Sequence, residues 1–313
     1  METVEQDRGS DRLLGVISVA AIIATLVLIT MGGVVRVTES GLGCPDWPLC
    51  HGKIIPPMEF HTLIEYTHRL LANIVSMFVA GLLIVTLAKY RHEPRVLMPV
   101  VLITVLLVVQ VGLGAWTVLA ELPHEVVTAH LAVAQAIFSL LVFTGVLAYH
   151  RNLDPPSGAR NGLARTDWAM PAFSALAVYL VVISGSYVVG SKATYACVSW
   201  PLCQNLDFVK WDEFLAYVNM FHRLIAAILL IILIRVVIVL WQRYAIFKLF
   251  RLISMGLLAA IVVEVALGAA NPLMHFTPFV RAAHLSVATV IQGLIVALAS
   301  FVWVRTRALE GDA

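Results

Sequence analysis

The sequence predicts an all-α membrane protein in which eight transmembrane helices form two parallel, pseudo-twofold-related four-helix bundles. Three observations predict it. First, hydrophobic residues make up 60% of the 313 residues and charged residues only 13%, against roughly 25% in soluble domains, and mean hydropathy is +0.91. Second, apolar runs of about 20 residues recur from end to end, each long enough to cross roughly 30 Å of hydrocarbon as a helix. Third, the chain reads as two similar halves. This composition excludes a soluble globular domain. The formal net charge of +2 is spread over short loops and forms no basic stripe, so no nucleic-acid partner is expected.

Hydropathy places the spans at about 13–35, 63–88, 97–119, 126–149, 168–190, 215–241, 249–270 and 280–304. Ahead of the first span, Glu2, Glu5, Asp7 and Asp11 accompany only Arg8 and Arg12. That mixture resembles neither a basic secretory signal nor an acid-poor mitochondrial presequence, and the expected location is a bacterial plasma membrane. An even number of spans puts both termini on one side. Thirteen Lys and Arg fall in the terminal segments and the loops on that side, against Arg36, Lys53, Lys192 and Lys210 in the opposite loops, so the termini are expected to be cytoplasmic. Residues 151–167, with Pro155, Pro156, Gly158 and Gly162, read as a cytoplasmic linker between an N-terminal bundle, 1–150, and a C-terminal bundle, 168–313.

The halves align at a nearly constant offset. The loop from Gly32 to Cys50 returns between Gly185 and Cys203, 153 positions later. Glu65, His68 and Arg69 then align with Asn219, His222 and Arg223 at an offset of 154, as do Gln110 with Glu264 and His130 with His284. Each half holds four spans, so both copies enter the membrane in the same direction and the repeat is parallel.

Of ten His, six lie in loops or at span ends. His68, His130, His222 and His284 lie inside spans, one on each even-numbered helix, at about 6–11 Å below the outer edge. A polar side chain there must find a partner, and two readings exist: a hydrogen bond to a neighbouring helix, or ligation. Two imidazoles per half suit the axial positions of a heme iron, whereas zinc needs three or four ligands and no C-x-x-C-H site for covalent heme occurs. The small residues Gly112, Gly114 and Ala115, with Gly268, Ala269 and Ala270, suit either close helix packing or a flat macrocycle. Arg69 and Arg223 each follow a candidate ligand, and either pair with a heme propionate or snorkel to headgroups.

Glu65 against Asn219 breaks the symmetry. Glu65 and His68 are i and i+3, on one helix face, and a carboxylate there can accept protons or stabilise developing positive charge. The N-terminal half is therefore expected to do chemistry; the alternative is a helix-start residue near water. Glu264 is a second acid within a span, with no role evident from sequence. Cys44 and Cys50, and Cys197 and Cys203, form C-x5-C pairs in two outer loops, where a disulfide in each is the simplest reading and a redox-active pair the other.

The ordered set of eight spans in two halves, E-x-x-H-R at Glu65 to Arg69, His-Arg at 222–223, His130, His284 and the two C-x5-C loops resembles the heme A synthases. The resemblance covers nearly the whole chain. It implies an oxidoreductase that converts a methyl group of heme O to the formyl group of heme A for terminal oxidase assembly. It implies further that His68 and His130 belong to the half that takes heme O, that His222 and His284 ligate a heme b cofactor, that Glu65 is catalytic, and that the Cys pairs are loop disulfides. Expected partners are a heme O synthase, oxidase assembly factors, an unidentified electron donor or acceptor, and the bilayer. The competing readings are a di-heme b-type cytochrome passing electrons from quinol to an outer acceptor, and a parallel-repeat transporter with proton-coupling His.

Overall fold

A computed structural model describes residues 2–150, 164, 166–203 and 214–307. The described residues form eight long helices, α1 Glu2–Val37, α2 Phe60–Lys89, α3 Pro94–Leu119, α4 His124–His150, α5 Ala169–Gly190, α6 Phe214–Tyr244, α7 Lys248–Leu273 and α8 Pro278–Arg307, with one short 3-10 turn at Ala193–Ala196. All eight are long and apolar enough to cross a membrane, in agreement with the expected spans. The chain is a multi-pass membrane protein. The largest boundary difference is at α1, which begins at Glu2 although its apolar part is Arg12–Val37. Glu, Gln and Arg are good helix formers, so the helix extends beyond its apolar stretch. Pro94 and Pro278 open α3 and α8, where a missing N–H costs nothing and the fixed φ suits the first turn. Most of the expected linker lies outside the described residues. At its end, Asp167 accepts hydrogen bonds from Arg243 Nη1 at 2.5 Å and from the Tyr244 hydroxyl at 3.1 Å.

The α3–α4 and α7–α8 connections are built alike. Glu121 and Leu122 have φ of 58° and 62°, and His275 and Phe276 have 54° and 57°. In each turn the second N–H reaches back five residues, Leu122 to the Thr117 carbonyl and Phe276 to that of Asn271, both at 2.7 Å. These bonds satisfy carbonyls that the helix end would leave orphaned.

Two apolar cores result. One joins α1 to α4 around Leu14, Leu82, Ile103 and Leu141; the other joins α5 to α8 around Leu233, Tyr244, Phe250, Leu257 and Ile295. Helices α4 and α8 are the central ones, with 50% and 56% of their apolar windows buried against 17–33% in the other six. They meet through Gln135 Nε2, which donates to Thr289 Oγ1 at 2.7 Å, and Gln292 Nε2, which donates to Ser139 Oγ at 3.0 Å. With no water at this depth, an amide can be satisfied only by another protein group. Replacing Gln135 with Leu is expected to destabilise the protein by about 0.6 kcal/mol, with an upper bound of ~1.7. Thermal unfolding in detergent checks the shift.

Candidate functional site

The four intraspan His lie within the first three described turns of α2, α4, α6 and α8. His68 and His130 are within electrostatic range of each other, and so are His222 and His284. All four are half-buried and none belongs to the packed cores. Each imidazole rests against a glycine of the preceding helix. A Cβ on Gly32 would stand 3.1 Å from His68 Cε1, and one on Gly185 the same distance from His222 Cε1. A Cβ on Gly114 would stand 3.3 Å from His130 Cε1, and one on Gly268 would stand 3.4 Å from His284 Cε1. Four glycine seats at matching repeat positions bring each ring close to a neighbouring backbone. Gly112, by contrast, faces open space.

Three of the four rings meet a polar group on the preceding helix. Gln110 Nε2 is 3.2 Å from His130 Nε2. Ser184 Oγ is 2.8 Å from His222 Nδ1. Glu264 Oε1 lies 3.1 Å from His284 Nδ1, a close contact not aligned as a hydrogen bond, which supplies a role for Glu264 that the sequence alone did not reveal. His68 Nδ1 makes no aligned hydrogen bond to the described residues, although the Leu28 backbone on the preceding helix is within reach of its ring.

Glu65 is not a solvated helix-start residue. It is 4% exposed, and the first Cys loop encloses its carboxylate: Oε2 accepts from the Cys44 backbone N–H at 2.9 Å, and Oε1 pairs with Arg69 Nη2 at 2.5 Å. Asn219, also buried, instead donates from Nδ2 to the Ala193 carbonyl at 3.0 Å. The two arginines clamp their loops. Arg69 Nη1 donates to the carbonyls of Asp46 and Leu49 and Nη2 to that of Cys44; Arg223 Nη1 donates to Ser199 and Pro201 and Nη2 to Cys197. With the Glu65 pair added, all four Nη protons of Arg69 are committed. Arg223, with Asn219 four residues before it where Arg69 has Glu65, keeps one to offer among the contacts described.

Both loops are closed by disulfides, Cys44–Cys50 and Cys197–Cys203. The first is further fastened by Asp46, whose oxygens accept from the N–H groups of Gly52 at 2.7 Å and His51 at 2.6 Å; the Gly52 bond, above all, holds this carboxyl below its ordinary range. At the corresponding position the second loop carries Ser199, whose Oγ instead donates to the Leu202 carbonyl at 2.6 Å.

The donor set fits heme. Among the described residues no three His, Cys, Asp or Glu converge as a bare metal ion requires. Ring nitrogens come in twos, one pair per half, and the buried Nδ1 atoms of His68, His130 and His284 make no aligned hydrogen bond to the described residues. His68 and His130 would hold one heme and His222 and His284 another, as bis-imidazole pairs. Ser184, Gly32 and Gly185 were not singled out from sequence, although both glycines open the repeated loop segment that ends in W-P-L-C.

Comparison with known proteins adds the following. A family model described as "Cytochrome oxidase assembly protein" matches residues 15–63 and 58–296. A protein named "Heme A synthase" from an Exiguobacterium species (strain AT1b) is 29% identical over 295 residues, covering 91% of this chain and 92% of the relative. Proteins of the same name from Exiguobacterium sibiricum and Geobacillus thermodenitrificans are 30% identical over 223 residues and 31% over 214, covering 70% and 67% of this chain and 72% and 66% of the relatives.

Proposed function

The chain belongs to the cytochrome oxidase assembly protein family, and on that footing we propose that it is a membrane heme A synthase, an oxidoreductase that converts heme O to heme A. Heme O is the substrate. We assign it to the N-terminal half, 1–150, between His68 and His130, and a heme b cofactor to the C-terminal half, 168–313, between His222 and His284. The buried Glu65 opposite Asn219 is the single observation that carries this assignment, because the N-terminal half has a carboxylate one turn before the His of its Cys-loop helix where the C-terminal half has an amide. The bond between Gln135 and Thr289, residues 154 apart, supports a pseudo-twofold axis between the halves.

Oxidising a methyl group to a formyl group withdraws electrons and protons and places an oxygen on the carbon. When bound, heme b supplies one-electron redox chemistry. The protein's own groups position the reacting region and balance its charge. Cys44 N–H and Arg69 hold the Glu65 carboxylate in one orientation, where it receives a proton or balances positive charge as the methyl group is oxidised. Arg69 and Cys44–Cys50 keep the first loop closed over that carboxylate and exclude water from it. A propionate partner is better sought at Arg223, which has an Nη proton to give, than at Arg69.

The bacterial relatives support a bacterial plasma membrane location, and the surplus of Lys and Arg on one side supports cytoplasmic termini with the Cys loops on the outer side. A heme O synthase would supply the substrate and oxidase assembly factors would take the product; an electron donor or acceptor completes the cycle. The test is to purify the protein in mild detergent, extract its hemes with acidified organic solvent, and identify them by chromatography and mass. Heme b together with heme O, heme A or a hydroxylated intermediate is expected. Heme b alone, after co-expression with a heme O source, would overturn the reading in favour of a di-heme cytochrome, and no heme would overturn the roles of all four His.

A further inference from the structure

The Cys-loop ends of the two halves are closed by different chemistry. In the N-terminal half the seam between the loop and the α3–α4 turn is apolar: a Cβ on Gly41 would stand 3.1 Å from Leu122 Cδ1, and Leu42 is the next residue of the loop. In the C-terminal half the repeat replaces Leu42 and Leu122 with Tyr195 and Phe276, whose rings meet edge to face with centroids 5.3 Å apart. Arg281 completes this cluster. Its Nη1 donates to the Tyr195 hydroxyl at 3.4 Å, and the residue 154 positions earlier is Val127.

Arg281 is a cation with little to hold. It is half-buried in the first turns of α8, and its Nε is shut off from solvent without an acceptor. The long contact with Tyr195 is its one side-chain hydrogen bond among the described residues, and none of their carboxylates pairs with it. Arg69 and Arg223 spend their donors on loop carbonyls instead. A buried donor without an acceptor is costly, and a guanidinium is a planar fork that matches a carboxylate. Arg281 and His284 are i and i+3, so they share a helix face, with the cation about 4.5 Å nearer the Cys-loop end.

We propose that Arg281, with the Tyr195 hydroxyl beside it, seats a propionate of the heme b assigned to His222 and His284. Nη1 stays with Tyr195, and the Nε–Nη2 edge takes the carboxylate oxygens. The hydroxyl accepts from Arg281 and gives its own proton to the same anion. This rests on the placement of heme b in the C-terminal half and deepens it, because Val127 offers the N-terminal half no charge at that position. A cation fixed beside a heme favours the reduced iron, which carries one positive charge fewer. A lipid phosphate would satisfy the same fork, and the test separates the two anions.

The purified holoprotein in mild detergent is titrated to obtain the midpoint potential of heme b from its absorbance, and the reduced-minus-oxidised infrared difference spectrum is recorded alongside. Arg281→Gln is expected to shift the equilibrium about tenfold toward ferric iron, a potential about 59 mV lower for one electron, and to move the propionate carboxylate bands. Arg281→Lys keeps the charge and loses the fork. It should recover most of the potential and still move the bands, which keeps the proposal testable if the Gln variant fails to hold heme. Tyr195→Phe should move the bands with the charge unchanged. An equilibrium within about twofold of wild type and unmoved bands in both Arg281 variants would overturn the proposal. So would a wild-type potential that rises only when phosphatidylglycerol is added, with that response lost in Arg281→Gln, because it would seat a lipid phosphate on Arg281. Either result, in a protein that holds heme b, leaves the heme assignment standing; a wild type without heme b would overturn both.

Discussion

Replacing Glu65 with Gln is expected to stop heme A formation while both hemes remain bound. The side chains are nearly isosteric, so packing under the first loop is kept, but the chemistry is not. Both carboxylate oxygens face donors, the Cys44 N–H at 2.9 Å and Arg69 Nη2 at 2.5 Å. An amide has one acceptor, so its nitrogen must confront one of these donors, and a buried unsatisfied donor costs about 1–3 kcal/mol. The C-terminal half avoids this because Asn219 Nδ2 faces the Ala193 carbonyl, an acceptor. The variant should therefore fold with a modest loss of stability and lose proton-accepting and charge-balancing capacity together, lowering turnover by roughly 10²–10⁴. Extraction and chromatography of hemes from cells with a heme O supply reads the result. Heme O or an intermediate should accumulate in the purified variant, and full heme A output would refute the catalytic role of Glu65.

How far this site was legible in the sequence depends on which relationship each residue takes part in. The spans follow from apolar length, which is local, and the structure returns all eight within a few residues apart from the polar extension of α1. The four His follow from the repeat, because one sequence aligned on itself shows which polar residues recur inside spans. Gln110 and Glu264 were visible as an aligned pair, yet their purpose was not. Each reaches a His on the following helix, and only the packing of α3 on α4 and α7 on α8 reveals that. The loop contacts of Arg69 and Arg223 were hidden for a related reason. Adjacent to a ligand in sequence, each turns its guanidinium to the loop carbonyls, where a rigid fork of donors satisfies backbone that the disulfide-closed turn leaves unpaired. The paired left-handed residues at 121–122 and 275–276 carry no glycine and so gave no turn signal of the usual kind.

The glycine seats lead to the second large effect, and it separates the two halves. Gly32 and Gly185 occupy corresponding positions, and a Cβ on either would stand 3.1 Å from the Cε1 of its imidazole, tighter than ordinary packing allows. Alanine would ask the ring to yield by a few tenths of an ångström; leucine would occupy the place of the ring itself. Gly32→Leu is expected to displace His68, lower heme A formation about 100-fold or more, and leave the heme b spectrum intact, since positional errors near 1 Å in a reacting group cost on that order. Gly185→Leu is expected to displace His222 and strip heme b, so the purified protein loses the corresponding absorbance, while a heme on the His68–His130 pair is retained. The same substitution made 153 positions apart thus reads out different hemes. Loss of the same heme from both variants would contradict the division of labour between the halves, because the atoms nearest a Cβ on each glycine are those of its own ring and α1 and α5 belong to different cores. Equal loss of all helical structure in the two would instead locate the seats' importance in folding, and circular dichroism of the purified variants distinguishes that outcome from ligand displacement.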